Sequence, residues 1–166
     1  MTTVVNSETA AAEALKGVMR CYPQGVTVLT IVTEGAPLGM TVSAFTSLSL
    51  DPALVLVCIQ KSISKYKEFT AAESFAVNIL GEDQKSISEN FGGKISFSDR
   101  FIGIKYSAGA NGAPILDGVL GVIECEKSVT IDGGDHTIVI GLVTKAQQFS
   151  DKRPLVSHRQ GYTTTA

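Results

Sequence analysis

Hydroxyl and ammonium side chains are concentrated in the segment Gln60-Lys61-Ser62-Ile63-Ser64-Lys65, which follows an apolar run and precedes a predicted helix. The first turn of a helix has free backbone N–H groups and the positive end of the helix dipole, and both stabilise an anion. Further donors would come from Lys61, Ser62, Ser64 and Lys65. The segment predicts a phosphate site. The alternative is a capped helix whose lysines are solvated.

A second candidate is the stretch of residues 39–47, in which small and hydroxylated side chains interrupt an otherwise apolar chain. Small side chains would let a flat ligand approach the main chain closely, and the backbone amides and hydroxyls would bind its polar edge. The alternative is an ordinary strand whose threonines and serines face water.

The chain has two histidines, His136 and His158. His136 ends the turn Gly133-Gly134-Asp135-His136, where a solvated histidine is the commoner case. His158 opens the segment His158-Arg159-Gln160-Gly161-Tyr162. A cationic and aromatic cluster in a chain tail usually frays unless it is tied down, so this segment indicates a docking role.

Other reaction classes lack the residues that they need. The sequence has no recognisable Ser/His/Asp arrangement, no cluster with metal-ligand spacing and no carboxylate pair. It therefore shows no candidate catalytic residues for hydrolysis. No GxGxxG follows the first predicted strand, so a nucleotide would not be held in the Rossmann manner. Hydride transfer through a flavin needs none of these groups, because the cofactor carries the chemistry and the protein positions the nicotinamide against it.

The elements that must position these residues are mostly strands. An apolar stripe predicts one helix over residues 8–21, and it consists of Leu15, Val18, Met19 and Tyr22. Segments rich in β-forming residues, separated by turn residues, then predict six strands, at residues 26–33, 40–48, 54–60, 75–80, 119–131 and 137–145. Short helices fit residues 64–72 and 83–91, each opening on a good N-cap residue, Ser64 and Asp83.

The last two predicted strands form a long hairpin with one wet face. In the first of them the apolar face consists of Ile123, Cys125, Val129 and Ile131, and the polar face consists of Glu124, Glu126, Ser128 and Thr130. Because strands and helices do not alternate regularly, we expect a single mainly β domain over residues 1–166, with its core at about 15–162. Its form would be a closed or half-closed antiparallel barrel with peripheral helices.

Composition favours a self-associating cytoplasmic protein. The hydrophobic fraction is 44%, the charged fraction is 18% and the mean hydropathy is +0.21, so some apolar surface should be buried against another copy of the chain. The longest apolar runs are far shorter than the roughly 20 residues that span a bilayer, and no signal pattern is present. No membrane association is therefore expected.

Cysteine spacing and charge exclude two further classes. Cys21, Cys58 and Cys125 are scattered and odd in number, so we expect buried thiols rather than disulfides or a zinc site. The net charge of −2 and the pI near 5.7 provide no basic field for nucleic acid.

Taken in order along the chain, several motifs resemble the flavin reductase-like family, the split-barrel FMN-binding proteins that serve as reductase components of two-component flavin monooxygenases. The resemblance covers residues 19–162. Its motifs are Tyr22-Pro23-Gln24-Gly25-Val26-Thr27-Val28-Leu29-Thr30, residues 39–52, Phe75-Ala76-Val77-Asn78-Ile79-Leu80, Gly112-Ala113-Pro114-Ile115-Leu116, Gly134-Asp135-His136 and His158-Arg159-Gln160-Gly161-Tyr162. The chain departs from the family pattern at Cys21-Tyr22-Pro23-Gln24, where members often have Phe or Arg-Phe.

The resemblance implies a homodimer of six-stranded antiparallel split barrels with a flavin, FMN or FAD, near the dimer interface. By this analogy the isoalloxazine and ribityl part would contact Met40, Thr41, Val42, Ser43 and Ala44, and the phosphate would contact Gln60, Lys61, Ser62, Ser64 and Lys65. Cys58, Phe91 and Arg100 would complete the flavin site. NADH or NADPH would contact His136, which positions the nicotinamide, and His158, Arg159 and Tyr162.

The activity implied is an NAD(P)H:flavin oxidoreductase that supplies reduced flavin to a partner monooxygenase such as an aromatic hydroxylase. The main alternative is a flavoredoxin-like FMN-binding electron carrier that does not oxidise NAD(P)H directly. A pyridoxal-phosphate enzyme on a related barrel and an apolar ligand-binding barrel have less support in these motifs. The sequence leaves open FMN or FAD, NADH or NADPH, and a tightly bound or diffusing flavin.

Overall fold

Antiparallel strands dominate the computed structural model, which describes residues 7–165. In chain order the strands are β1 (Gln24–Gly25), β2 (Thr27–Thr33), β3 (Ala36–Val42), β4 (Phe45–Leu50), β5 (Ala53–Gln60), β6 (Ser74–Ile79), β7 (Tyr106–Ala108), β8 (Pro114–Leu116), β9 (Gly121–Gly133), β10 (His136–Gln148), β11 (Val156–His158) and β12 (Gly161–Thr163). Seven of them form one sheet in the order β3-β2-β6-β9-β10-β5-β4. The others form a small sheet, β1-β11-β12, and the hairpin β7-β8.

The two edges of the large sheet lie next to each other. β3 and β4 are its edge strands, yet only Ser43 and Ala44 separate them in the chain. Three peptide steps span at most about 11 Å, so the sheet must curl until its edges approach. This arrangement confirms the mainly β split barrel, whose opening lies between β3 and β4.

The barrel sheet has seven strands, not the six expected, because residues 40–48 do not form one strand. β3 pairs with β2, whereas β4 pairs with β5 at the other edge of the sheet. The break between them is a tight turn in which the Phe45 N–H donates to the Ser43 carbonyl at 2.9 Å. No proline or turn motif marks this break, so the local sequence reads as one continuous strand.

Aliphatic side chains fill the barrel. On β5, Val57 and Ile59 are fully buried, while the intervening Cys58 is half-buried on the outer face. Each fully buried aliphatic side chain contributes roughly 1.5–3 kcal/mol to stability. The same core includes Leu29, Ile31, Leu38, Met40, Val42, Val55, Phe69, Phe75, Val77, Cys125 and Val139.

A bulge in β9 reverses the side-chain pattern predicted for the long hairpin. The pairing register of β9 with β10 shifts between Ile140 and Gly141, which leaves Ser128 without a partner. An extra residue moves the following side chains to the opposite face of the sheet. Cys125 is therefore buried in the core, whereas Val129 and Ile131 are 45% and 46% exposed on the outside.

The same alternation predicts a wet face for Glu124, but this side chain is fully buried. The Asn111 backbone N–H donates to its Oε2 at 3.0 Å, and Lys145 Nζ lies 3.7 Å from its Oε1. The loop between β7 and β8 contributes Asn111 and covers the carboxylate. This burial depends on a distant segment, which the pattern of β9 alone does not reveal.

The helices lie outside the barrel and are shorter than predicted. α1 (Ser7–Met19) agrees with the predicted first helix, but its stripe is exposed, with Leu15 at 62% and Val18 at 69%. The other helices are α2 (Tyr66–Ala71) and α3 (Lys85–Glu89), the latter between a 3-10 turn (Glu82–Gln84) and a π turn (Asn90–Lys94). The N-caps predicted at Ser64 and Asp83 are wrong, because Lys65 precedes α2 and Gly81 precedes the 3-10 turn.

Two smaller expectations are also resolved. The turn of the long hairpin lies at Gly134 and Asp135, and Gly134 has a φ of 78°, which glycine adopts without a steric cost. Cys21 is exposed and Cys58 is half-buried, which corrects the prediction that all three cysteines are buried; only Cys125 is. Within residues 7–165, no helix is long and apolar enough to cross a membrane.

Candidate functional site

A groove of about 710 Å³ lies between β3, the end of β5 and the segment that follows α3. Seven residues predicted to bind flavin line it: Met40, Thr41, Gln60, Ser64, Lys65, Phe91 and Arg100. Residues that the prediction did not include also line it, among them Ile63, Gly92, Gly93, Lys94, Ile95, Ser96, Phe97 and Ser98. Its volume suits a ligand of cofactor size.

The wall of the groove depends on a glycine in β3. A Cβ built on Gly39 would lie 2.5 Å from Cε1 of Phe91, a distance that real structures do not tolerate. Phe91 is almost fully buried, and its ring meets that of Phe101 edge-on at a centroid distance of 5.0 Å. Gly39 therefore lets this aromatic pair pack directly against β3.

Arg100 places a buried positive charge at the groove. It is 5% exposed, its Nη1 donates to the Gly39 carbonyl at 3.0 Å, and its guanidinium lies 3.6 Å from the centroid of the Phe97 ring. Burial lowers the pKa of this guanidinium. Among residues 9–165, whose side chains the structure describes, no carboxylate lies within 4 Å of it. A buried cation without a counter-ion favours an anionic ligand.

The two lysines of the predicted phosphate segment differ in position. Lys61 Nζ lies 2.6 Å from the Gly134 carbonyl and also binds Asp132, so this ammonium faces the tip of the long hairpin rather than the groove. Lys65 lines the groove, but its Nζ lies 2.8 Å from Glu68 Oε1, which raises the pKa of Lys65. Ser64 lines the groove and Ser62 does not.

Four other predicted flavin residues lie outside the groove. Val42 is buried in the core, and Ser43 lines a separate cleft of about 220 Å³. The Ala44 carbonyl accepts the Cys58 N–H at 2.9 Å, which joins the start of β4 to β5. Burial raises the pKa of the Cys58 thiol, so that less of it is the reactive thiolate.

The predicted nucleotide residues fall into two places. His136 pairs with Gln60 in the β5-β10 ladder, beside the groove, and its Nδ1 lies 2.7 Å from Asp135 Oδ1. Tyr162 also borders this region, because its hydroxyl lies 2.9 Å from Ser88 Oγ, and the Ser88 carbonyl accepts Thr41 Oγ1–H at 2.7 Å. His158 and Arg159 instead line a second groove beside α1.

The lining contributed by residues 94–98 was outside the sequence-based prediction. The signal available was a Gly92-Gly93 pair followed by an alternation of hydroxyl and apolar residues, which also suits a plain surface loop. In the folded chain, Arg100 stacks on Phe97 and donates from Nε to the Ile95 carbonyl at 3.3 Å, and these contacts hold the loop over the groove. Among residues 7–165, no group of His, Cys, Asp and Glu side chains is arranged to hold a metal ion.

Known proteins resemble this chain over most of its length. The family model described as flavin reductase like domain matches residues 19–166. A probable flavin reductase of Rhizobium meliloti (strain 1021) is 39% identical over 96% of this chain and 51% of its own length. The reductase subunit HsaB of a flavin-dependent monooxygenase from Rhodococcus jostii (strain RHA1) is 34% identical over 98% of this chain and 85% of its own.

Solved structures agree with these relatives. A nitrilotriacetate monooxygenase component B homolog from Mycobacterium thermoresistibile superposes with a TM-score of 0.89 at 37% identity, covering 96% of this chain and 89% of its own. The NADH:FAD oxidoreductase SgcE6 of Streptomyces globisporus C-1027, in complex with NAD and FAD fragments, has a TM-score of 0.87 at 31% identity, covering 99% and 98%. The chain spans about half the length of the Rhizobium relative and most of the length of the other three proteins.

Proposed function

The chain belongs to the flavin reductase-like domain family, and from this premise we propose that it acts, as a single domain, as an NAD(P)H:flavin oxidoreductase that reduces FMN or FAD. The observation that carries the proposal is the groove containing Arg100, a buried cation with no carboxylate partner among the described side chains. A flavin phosphate would supply the missing anion. Apolar lining from Ile63 and Phe97 would suit the flat ring system.

The residues of the groove fit the parts of a flavin. Met40, Thr41 and Phe91 would hold the ring, and Gln60, Ser64 and Lys65 would hold polar groups of the chain that carries the phosphate. Of the remaining predicted contacts, Ser43 and Ala44 adjoin the groove along the chain, whereas Lys61 and Ser62 lie at its outer margin. We therefore place the main anion contact at Arg100 rather than at the start of α2.

When bound, the flavin supplies the chemistry by accepting a hydride from the nicotinamide. The protein's task is to orient the two rings and to exclude water from them. We assign nicotinamide positioning to His136, because its backbone pairs with that of Gln60 at the margin of the groove. Its ring nitrogens can donate a hydrogen bond to an amide or a phosphate.

A partner oxygenase would consume the reduced flavin. HsaB is named as the reductase subunit of a flavin-dependent monooxygenase, and another relative is named as the reductase component of a flavin-dependent trigonelline monooxygenase. By analogy we propose that this chain supplies reduced flavin to an oxygenase.

We further propose that the chain forms a homodimer through the outer face of β5, β9 and β10. Aliphatic side chains on this face are left uncovered or half-covered: Leu54, Leu56, Val129, Ile131, Ile138, Ile140 and Leu142. Strand pairing places these side chains next to one another on the sheet; for example, Ile131 of β9 pairs with Ile138 of β10. A contiguous apolar patch of this kind is typical of an interface between subunits.

The cysteines support the cytoplasm as the compartment. All three are free, and Cys21 is exposed. Exposed free thiols persist where the environment is reducing. This is the compartment in which we propose that the protein acts.

Steady-state kinetics test the proposed activity. Purified protein should oxidise NADH or NADPH at a rate that depends on added FMN or FAD, since the proposed groove would hold the flavin that accepts the hydride. Nucleotide oxidation is followed by loss of its absorbance, with heat-denatured protein as control. A rate that does not depend on flavin would contradict the proposal.

A further inference from the structure

The segment that joins β5 to α2, residues 60–66, makes contacts in two directions. Four of its residues line the groove that we propose binds flavin: Gln60, Ile63, Ser64 and Lys65. The side chains of Lys61 and Tyr66 instead contact the turn between β9 and β10 and the start of β10. This segment therefore joins the wall of the groove to residues 132–137, which we call the hairpin tip.

Lys61 binds the hairpin tip at three points. Its backbone N–H donates to the Asp135 carbonyl at 2.9 Å, and its ammonium donates to the Gly134 carbonyl at 2.6 Å. The same ammonium pairs with the carboxylate of Asp132. Asp132 in turn accepts the Gly134 N–H at 3.2 Å, so this one carboxylate links the lysine to the turn. These contacts hold the turn against the end of β5.

His136 lies between this set of contacts and a second one. Its backbone pairs with that of Gln60 in the last rung of the β5-β10 ladder. On one side of it, Asp135 is bound by Lys61, and on the other side Thr137 Oγ1 lies 2.7 Å from the Tyr66 hydroxyl. The position of His136 relative to the groove therefore depends on contacts from the segment that forms the groove wall.

The ion pair of Lys61 with Asp132 contributes little to stability. The two side chains are 35% and 79% exposed, and ion pairs in contact with water are weak. A weak contact can nevertheless decide where a hairpin tip lies, because tips and turns open more readily than the core strands do. Removing this pair should release the tip and leave the barrel folded. Its effect on the reaction can therefore be measured without loss of the fold.

We propose that Lys61 is a positioning residue, whose ammonium holds the hairpin tip and thereby His136 at the margin of the groove, and that it does not bind the flavin phosphate. The proposal rests on the proposed reductase function, in which His136 positions the nicotinamide. Hydride transfer depends steeply on the placement of the two rings, so a displaced tip would slow it. This role replaces the phosphate contact that the sequence resemblance implies for Lys61.

Nucleotide kinetics and flavin binding test this role. Lys61→Met keeps a long side chain and removes the charge, so kcat/KM for the nicotinamide nucleotide should fall at least about fivefold at saturating flavin. The affinities for FMN and for riboflavin should stay at the parent values. Lys67→Met is the matched control, since Lys67 is an exposed lysine outside the groove, and it should change none of these quantities.

Two results with Lys61→Met would overturn the proposal. One is an unchanged kcat/KM for the nucleotide. The other is FMN binding weakened at least about tenfold with riboflavin binding unchanged, which would make Lys61 a ligand of the flavin phosphate.

The partner carboxylate separates positioning from phosphate binding. Asp132→Asn keeps an oxygen for the Gly134 N–H and removes the charge that pairs with Lys61. It should reproduce the loss of kcat/KM seen in Lys61→Met, and the double variant should lose no more than either single variant, because both changes remove the same contact. If Lys61 bound the flavin phosphate, Asp132→Asn would free the ammonium and leave kcat/KM at the parent value or tighten FMN binding. That result would contradict the proposal.

A His136→Ala background shows whether Lys61 acts through His136. In that background Lys61→Met should cause no further loss of kcat/KM, whereas additive losses would overturn the proposal. Hydrogen exchange of a peptide covering residues 132–137, measured by mass spectrometry, does not depend on activity and should become faster in Lys61→Met. Unchanged exchange would overturn the proposal even if the enzyme reduces flavin. Faster exchange in a protein whose parent reduces no flavin would contradict the proposed function and leave Lys61 with a structural contact alone.

Discussion

At the level of single residues, the account depends most on Arg100. The sequence predicts its place in the flavin site by resemblance alone, and the structure adds a physical reason, a buried guanidinium whose partners are two carbonyls and an aromatic ring. Such a group is costly to bury without a counter-ion. A bound phosphate would therefore stabilise the protein as well as hold the ligand.

Replacing Arg100 tests this role. Arg100→Gln should weaken FMN binding at least about tenfold, because it removes a charge-assisted contact, and should affect riboflavin much less because riboflavin has no phosphate. Fluorescence titration with both flavins gives the two affinities. The parent protein should itself bind FMN more tightly than riboflavin. Equal affinities in the parent would rule out any phosphate site in this groove.

Sequence reasoning located much of the candidate site but not its details. Thr41 and Gln60 belong to stretches that stand out in the sequence because they are rich in hydroxylated or polar residues, whereas Met40 was placed in the flavin site by the family resemblance. Lys61 shows the limit, since its ammonium turns toward Asp132, a residue 71 positions away. Contacts at such separations are set by the barrel and leave no trace in the neighbouring sequence.

At the level of elements, the wall of the groove that we propose binds flavin forms where β3 packs against the segment after α3. Gly39 and Phe91 make this contact, and the glycine is needed for close approach rather than for an unusual φ. An added methyl group here would push Phe91 away from the strand that carries Met40 and Thr41. The geometry of the groove should therefore be sensitive to a single carbon atom.

The variant Gly39→Ala measures this packing. Overpacking should lower the free energy of unfolding by roughly 1–3 kcal/mol and should also weaken FMN binding, since Phe91 must move. Urea unfolding followed by fluorescence or circular dichroism gives the stability. Gly25→Ala is the control, because a Cβ there meets nothing within 4 Å. A Gly39→Ala protein as stable as the parent would show that Phe91 is not held as described.

The strands themselves were largely predictable, and their interruptions were not. Segments rich in β-forming residues located β2, β5 and β6, and period-2 alternation located the long hairpin. The turn at Ser43 and the bulge at Ser128 each change strand direction or face without a glycine or proline to mark them. Both are required by closure of the barrel, which is a property of the whole sheet.

At the level of the whole molecule, the outer face of β5, β9 and β10 predicts a dimer. Sedimentation equilibrium should give about twice the chain mass of 17.5 kDa. Ile131→Lys should shift the protein toward monomer, because it places a charge in the apolar patch. Ile102→Lys is the matched control, since Ile102 is 75% exposed and lies outside that face. A parent protein that sediments as a monomer would contradict the proposed interface.

The central claim is that this one chain passes a hydride from a nicotinamide nucleotide to a bound flavin without help from another protein. Anaerobic stopped-flow mixing of the flavin-loaded protein with NADPH, and separately with NADH, tests it most directly. The account predicts that the absorbance of the oxidised flavin is lost with at least one nucleotide, with one nucleotide consumed for each flavin reduced. If the flavin stays oxidised with both nucleotides, the chain is a flavin-binding electron carrier and not a reductase.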